Sequence, residues 1–173
     1  MIRKTLHHYS EIESYQFITF RTLDSIDPYL HKISKTPRLS VSERQMKIDE
    51  YCDHSTLGCY LIGEVINIIL THIKSLEPDY YQLIAISIMP NHIHLLIKQK
   101  QDLKVVMQQI KGSLAFKINK LLSRKGYFWE KSYFDKTIRD EKHFNIVYKY
   151  IENNAIKANL ADKDSRFYGI YNN

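Results

Sequence analysis

His92 and His94 sit one residue apart in "SIMPNHIHLLIK" (87–98), a run that is otherwise apolar and strand-like. Imidazoles are a poor choice for such a run unless their lone pairs are used. Side chains alternate faces along a strand, so Ile93, Leu95 and Ile97 point one way and His92, His94 and Leu96 the other, onto the open face of a sheet. Two strand steps separate the imidazoles by roughly 7 Å, close enough for both to reach one ion. Neutral imidazole ligates divalent first-row metals, and two of them leave positions for a carboxylate or amide, water and a phosphate oxygen. Histidines merely decorating a solvated strand face would give the same pattern, so the motif alone leaves both readings open.

A second constellation lies in "DEKHFNIVYKYIENNAIKANL" (140–160). Phe144, Val147, Tyr148, Ile151 and Ala155 recur at spacings of three and four and form the apolar stripe of a helix. Tyr148 belongs to that stripe and reads as core. Tyr150, two residues on, is turned roughly 160° from Tyr148 by the ~100° step per residue. Asn154 follows one turn later on the same side, where its amide oxygen can serve as a third metal ligand. A phenol beside a metal-held phosphate is a nucleophile able to form a phosphotyrosyl intermediate. The chain holds 13 tyrosines, and an amphipathic tyrosine at a helix–sheet boundary is the competing account of this one.

The elements that must position these groups follow from periodicity. "YQFITFRTL" (15–23) reads as a strand, and the polar stretch 24–45 as a loop with short helical pieces. Leu57, Leu61, Val65, Ile68, Ile69, His72, Ile73 and Leu76 predict an amphipathic helix of about five turns. Residues 80–89 and the histidine run form two strands joined by a short turn at Pro90-Asn91. Asp102 caps the next helix, with Leu103, Val106, Ile110, Leu114, Ile118 and Leu121 as its buried stripe and Gly126 closing it. Residues 133–139 alternate like a strand, and Asp140 caps the final helix, 141–156. This order predicts an α+β, ferredoxin-like split βαβ fold: an antiparallel four-stranded sheet, two helices on one face, and a C-terminal helix carrying the tyrosine.

Composition is that of a globular chain: 173 residues, 44% hydrophobic, 25% charged. One domain spanning 1–173 is expected, with a core at about 15–160 and a tail at 161–173. The net charge of +6 favours an anionic partner such as nucleic acid. No apolar run approaches a membrane span, and "MIRKTLHHYS" lacks the apolar core of a signal peptide. Cys52 and Cys59 are too few for a disulfide framework or a four-cysteine zinc site and read as ordinary buried thiols of a cytoplasmic protein.

Together the two constellations resemble the single-tyrosine HUH (His-hydrophobic-His) transposases, most closely the REP-associated tyrosine transposase branch of the IS200-like family. "MPNHIHLLI" (89–97) is similar to the HUH strand, "YFWEKSYFDKTIRDEKHF" (127–144) to the tract leading into the last helix, and "YIENNAIKANL" (150–160) to the Tyr-x-x-x-Asn helix and its exit. The resemblance implies His92, His94 and Asn154 as ligands of Mg²⁺ or Mn²⁺ and Tyr150 as nucleophile. It further implies cleavage of single-stranded DNA near an imperfect palindromic hairpin, leaving a 5′-phosphotyrosine and a free 3′-OH. A homodimer is compatible with the family. Two residues depart from its pattern: Ala155 stands where proline is usual and Asn159 where glycine is. Asn tolerates left-handed backbone, so the helix exit is expected to survive.

Between Lys98 and Lys131 nine Lys/Arg face two acids. Lys104, Lys111, Lys117, Lys120 and Arg124 lie largely off the apolar stripe of their helix and, with Lys125, Lys131 and Arg139, are candidate DNA contacts. Tyr127, Phe128 and Trp129 among these cations could stack bases or simply enter the core. The alternative function is a catalytically silent or repurposed hairpin nucleic-acid-binding module on the same fold.

Overall fold

Five strands form the frame: β1 (Tyr15–Arg21), β2 (Tyr81–Ile88), β3 (His92–Gln99), β4 (Phe134–Thr137) and β5 (Phe167–Gly169). They make one antiparallel sheet in the order β4-β1-β3-β2-β5. The first four follow the split βαβ topology expected from the sequence. The fifth corrects the predicted strand count: the tail returns along the free edge of β2. The computed structural model describes residues 12–171. The stretch "MIRKTLHHYS" therefore lies outside the described residues.

Among the described residues five α-helices, besides two single-turn 3-10 helices, accompany the sheet: α1 (Pro28–Ser34), α2 (Val41–His54), α3 (Glu64–Ser75), α4 (Leu103–Leu121) and α5 (Glu141–Lys157). Alternation assigns the two faces of the sheet. Ile18, Phe20, Ile93, Leu95 and Ile97 pack with Val65, Ile69 and Ile73 of α3 and Val106, Ile110 and Leu114 of α4. Phe17, Ile84, Ala85 and Leu96 face Val147, Tyr148 and Ile151 of α5 instead. A register shift between Leu83 and Ala85 places Ile84 and Ala85 in the same cluster despite their being neighbours. The histidine face is thus not open, as alternation alone suggested, but roofed by α5.

The polar stretch after β1 holds more helix than its composition suggests. Asp27 caps α1 and Ser40 forms a reciprocal capping box with Glu43 at the start of α2. Leu30, Ile33, Ile48 and Cys52 form a small core of their own between α1 and α2. Helix α3 begins at Glu64, so Leu57 and Leu61 precede it. Gly58 interrupts the earlier stretch at φ +65, and a Cβ there would lie 2.5 Å from the Ser25 backbone nitrogen.

Asp102 and Asp140 cap α4 and α5 as expected, accepting from Lys104 N and His143 N. The end of α4 is not set by Gly126. Ser123 takes the left-handed conformation at φ 52, and Arg124 N donates to Asn119 O. Asn159 does the same for α5 at φ 52: its own N–H reaches Ile156 O and that of Leu160 reaches Ala155 O. This is the paired-bond helix exit that usually uses glycine, and asparagine sustains it.

Candidate active site

The neighbour of each histidine decides which ring nitrogen is free. Asn91 donates its side-chain N–H to Cys52 O (3.0 Å) and Leu57 O (3.2 Å), which turns its carbonyl oxygen toward His92. His92 Nδ1 lies 2.8 Å from that oxygen and must carry the proton. Across the sheet Thr19 pairs directly with His94, and its hydroxyl is 2.7 Å from His94 Nδ1. Both Nδ1 atoms are engaged, so both Nε2 atoms remain, buried and without a hydrogen-bond partner. The rings sit 4.8 Å apart, centroid to centroid. Burial holds His92 down to about 3 and His94 well below its ordinary value, so both rings are neutral at neutral pH.

A third donor comes from α2. Asp49 is buried, and its carboxylate forms with His92 and His94 a cluster whose ligand atoms all lie within 4.8 Å of one another. Two orphaned imidazole nitrogens and a carboxylate in a desolvated pocket fit a divalent cation, which these three residues would hold. Desolvation raises Asp49 to about 7 and Asp53, one turn further on α2, to about 6. Asp53 Oδ1 lies 3.6 Å from His92 Nε2.

Tyr150 enters from α5. Its hydroxyl donates to Asp49 Oδ2 at 3.1 Å, and its ring meets His94 edge-on at 5.2 Å and Phe17 at 5.9 Å. Burial raises the phenol above its ordinary pKa, with the nearby carboxylates adding to it. Asn154 is buried one turn beyond Tyr150 on α5, and its side-chain nitrogen has no hydrogen-bond partner. The structure therefore gathers His92, His94 and Tyr150 around Asp49, with Asn154 buried one turn along α5 from Tyr150, and Tyr148 turns into the core. Asp49 was absent from the sequence reading. Its signal was the spacing Gln45, Ile48, Asp49, Cys52, which puts a carboxylate on the apolar stripe of a polar helix.

A family model described as "Transposase IS200 like" matches residues 60–154, more than half of the chain. The chain belongs to the IS200-like transposases. No curated protein sequence matches it. Among solved structures, a REP-associated tyrosine transposase bound to a REP hairpin is 14% identical, with a TM-score of 0.53, covering 90% of this chain and 74% of that one. At that identity the likeness concerns the fold. A Deinococcus radiodurans R1 protein described as a transposase gives 16% identity, a TM-score of 0.47 and coverages of 88% and 97%.

The matched segment of this IS200-like transposase holds both histidines, Tyr150 and Asn154 but leaves out β1 and α2, and with them Thr19 and Asp49. The basic residues divide into two groups. Lys104, Lys117, Lys120, Lys125, Lys131 and Arg139 are exposed, though Lys117 is also engaged by a histidine. Lys111 is half-buried and donates to the carbonyls of Glu130 (2.5 Å), Lys131 (3.2 Å) and Ser132 (3.0 Å). Arg124 pairs with Asp24 at 2.8 Å and stacks 4.1 Å over Tyr60, and Lys117 donates to His72 Nδ1 at 3.2 Å. Phe128 and Trp129 join the core against Phe20, leaving Tyr127 exposed.

Proposed function

We propose that this IS200-like transposase is a metal-dependent single-stranded DNA endonuclease and strand transferase acting near hairpin ends. The observation that carries the reading is the Tyr150 hydroxyl, bonded to the carboxylate that clusters with two free histidine Nε2 atoms. Mg²⁺ or Mn²⁺ bound by His92, His94 and Asp49, with Asn154 adjoining, would polarise the scissile phosphate and stabilise its developing charge. Tyr150 Oη attacks the phosphorus and its proton passes to Asp49, the acceptor already in place. The P–O3′ bond breaks, giving a 5′-phosphotyrosine, and the leaving O3′ takes up the proton released to Asp49 to become a free 3′-OH. Attack by a 3′-OH on that link reverses the step and rejoins strands. The exposed lysines around α4 suit the phosphates of a hairpin.

The test incubates a labelled hairpin-bearing single strand with protein and Mn²⁺. A covalent adduct lost in Tyr150→Phe and kept in Tyr148→Phe supports the assignment. An adduct that persists in Tyr150→Phe removes Tyr150 as nucleophile. No adduct with any divalent metal on a genuine host target points to the binding-module alternative.

A further inference from the structure

Beside the histidines lies a cleft of about 520 Å³ between α2, β1 and the segment 130–134. His92 and Asp49 form part of its wall, so it opens directly onto the donor cluster. Two arginines also line it, Arg21 and Arg44. Neither belongs to the segment that the family model matches. Both are placed with some care. Arg21 pairs with His92 in the β1–β3 register, and its charge is felt at both His92 and Asp49. Its guanidinium is fixed by Glu130, with Nε 2.7 Å and Nη2 3.2 Å from the carboxylate. The backbone of Glu130 is fixed in turn by Lys111 of α4. Arg44 uses Nη2 on the carbonyls of Thr36 and Leu39, at 3.0 and 3.3 Å, while its buried Nε has no hydrogen-bond partner. Tyr133 and Phe134 supply aromatic lining.

Fixed guanidinium groups beside the donor cluster, in a cleft that also carries aromatic lining, suit a polyanion whose charges are phosphates. The lining sets two arginines against two carboxylates, Glu130 and Asp49, and the divalent cation that Asp49 and the histidines would hold leaves the cleft a surplus of positive charge. We propose that this cleft is a nucleotide subsite for single-stranded DNA next to the scissile phosphate, with Arg21 and Arg44 contacting backbone phosphates. The assignment rests on the transposase reading above, because it takes the ligand to be the strand that Tyr150 attacks. It adds residues outside the matched segment and a site distinct from the basic helix.

The experiment measures binding of a fluorescent oligothymidylate, which forms no hairpin, to the Tyr150→Phe protein across a range of salt. No cleavage is involved, so the result is independent of whether the chain proves to be an enzyme. Arg21→Gln and Arg44→Gln should each weaken binding several-fold and reduce the slope of log K against log salt by about one. Lys163→Gln, an exposed cation on the tail turn, should leave the slope unchanged. The Mn²⁺-induced rise in melting temperature should be the same in all variants, because none removes a ligand. Arg21→Lys keeps the charge and should recover most of the salt slope if Arg21→Gln folds poorly. Unchanged slopes in both arginine variants overturn the proposal. So does an equal loss in Lys163→Gln, which would reduce the effect to net charge, or a lost Mn²⁺ shift, which would place the arginines' role in the metal cluster.

Discussion

Asp49 is the residue on which the site's acid–base behaviour turns. Burial raises its carboxyl to about 7, so between about pH 4 and 7 the folded protein holds a proton that the unfolded chain has released. Folding then loses stability as pH rises through that window, by up to about 4 kcal/mol for a shift of this size. Asp49→Asn removes the ionisation, and in EDTA the variant should melt higher than the parent at pH 8, by a margin that narrows as pH falls and is gone below about pH 4. A divalent cation reverses the sign, since it needs the ionised carboxylate. The Mn²⁺ stabilisation of the parent should therefore be large at pH 8, fade toward pH 5.5, and be much reduced in Asp49→Asn at either pH. Thermal melts over this grid check all three expectations. The histidines were legible from alternation because a strand's period of two leaves no choice of face. Asp49 was not, because its helix is dominated by polar residues and a lone carboxylate there reads as solvated.

Among the elements, α5 was the most legible and α2 the least. Helix α5 has an apolar stripe, an Asp cap and a known strand to cover, so the placement of Tyr150 opposite Tyr148 followed from a rotation angle. Helix α2 buries only Ile48, Asp49 and Cys52, too few apolar positions to mark a face. The long predicted helix before β2 failed for another reason. Leu57 and Leu61 share its period by chance, and Gly58 at φ +65 breaks the chain between them. That glycine is a sharp test of the loop carrying Leu57, whose carbonyl orients Asn91 and through it His92. Gly58→Ala meets backbone at 2.5 Å as well as an unfavourable φ, and should cost about 2–4 kcal/mol, read as a lower urea midpoint. Asn159→Gly should be neutral or slightly stabilising at the α5 exit, whereas Asn159→Val should cost about 1–2 kcal/mol, because a β-branched residue resists the left-handed conformation.

At the scale of the molecule, the groups of the candidate site come from elements far apart in the chain, β1, α2, β3 and α5, and the tail fastens onto the turn between β2 and β3. Arg166 is 2% exposed, the most deeply buried cation among the described residues. It donates Nη1 to Leu61 O (3.0 Å) and Ile88 O (2.8 Å), and Nε and Nη2 to the two oxygens of Asp162. Ile88 N returns a bond to Arg166 O, and Leu61 N bonds Pro90 O, so one arginine ties the exit of α5 to the turn that delivers His92. None of this was visible in the sequence, where residues 161–173 read only as a tail beyond the core. A long-range clamp of a single side chain onto carbonyls has no periodicity to betray it. Arg166→Met keeps the bulk but strands these carbonyls, and should cost about 3 kcal/mol, a fall in melting temperature of roughly 6–12 °C for a chain of this size. The pair also predicts an acid limb. Arg166 holds the Asp162 carboxyl below its ordinary range, so this contribution is present above about pH 4 and lost as pH falls through the depressed value. In Arg166→Met the loss of stability on acidification should be shallower than in the parent. If instead both proteins lose stability in parallel from pH 5 to pH 3, the ion pair is not what fastens the tail.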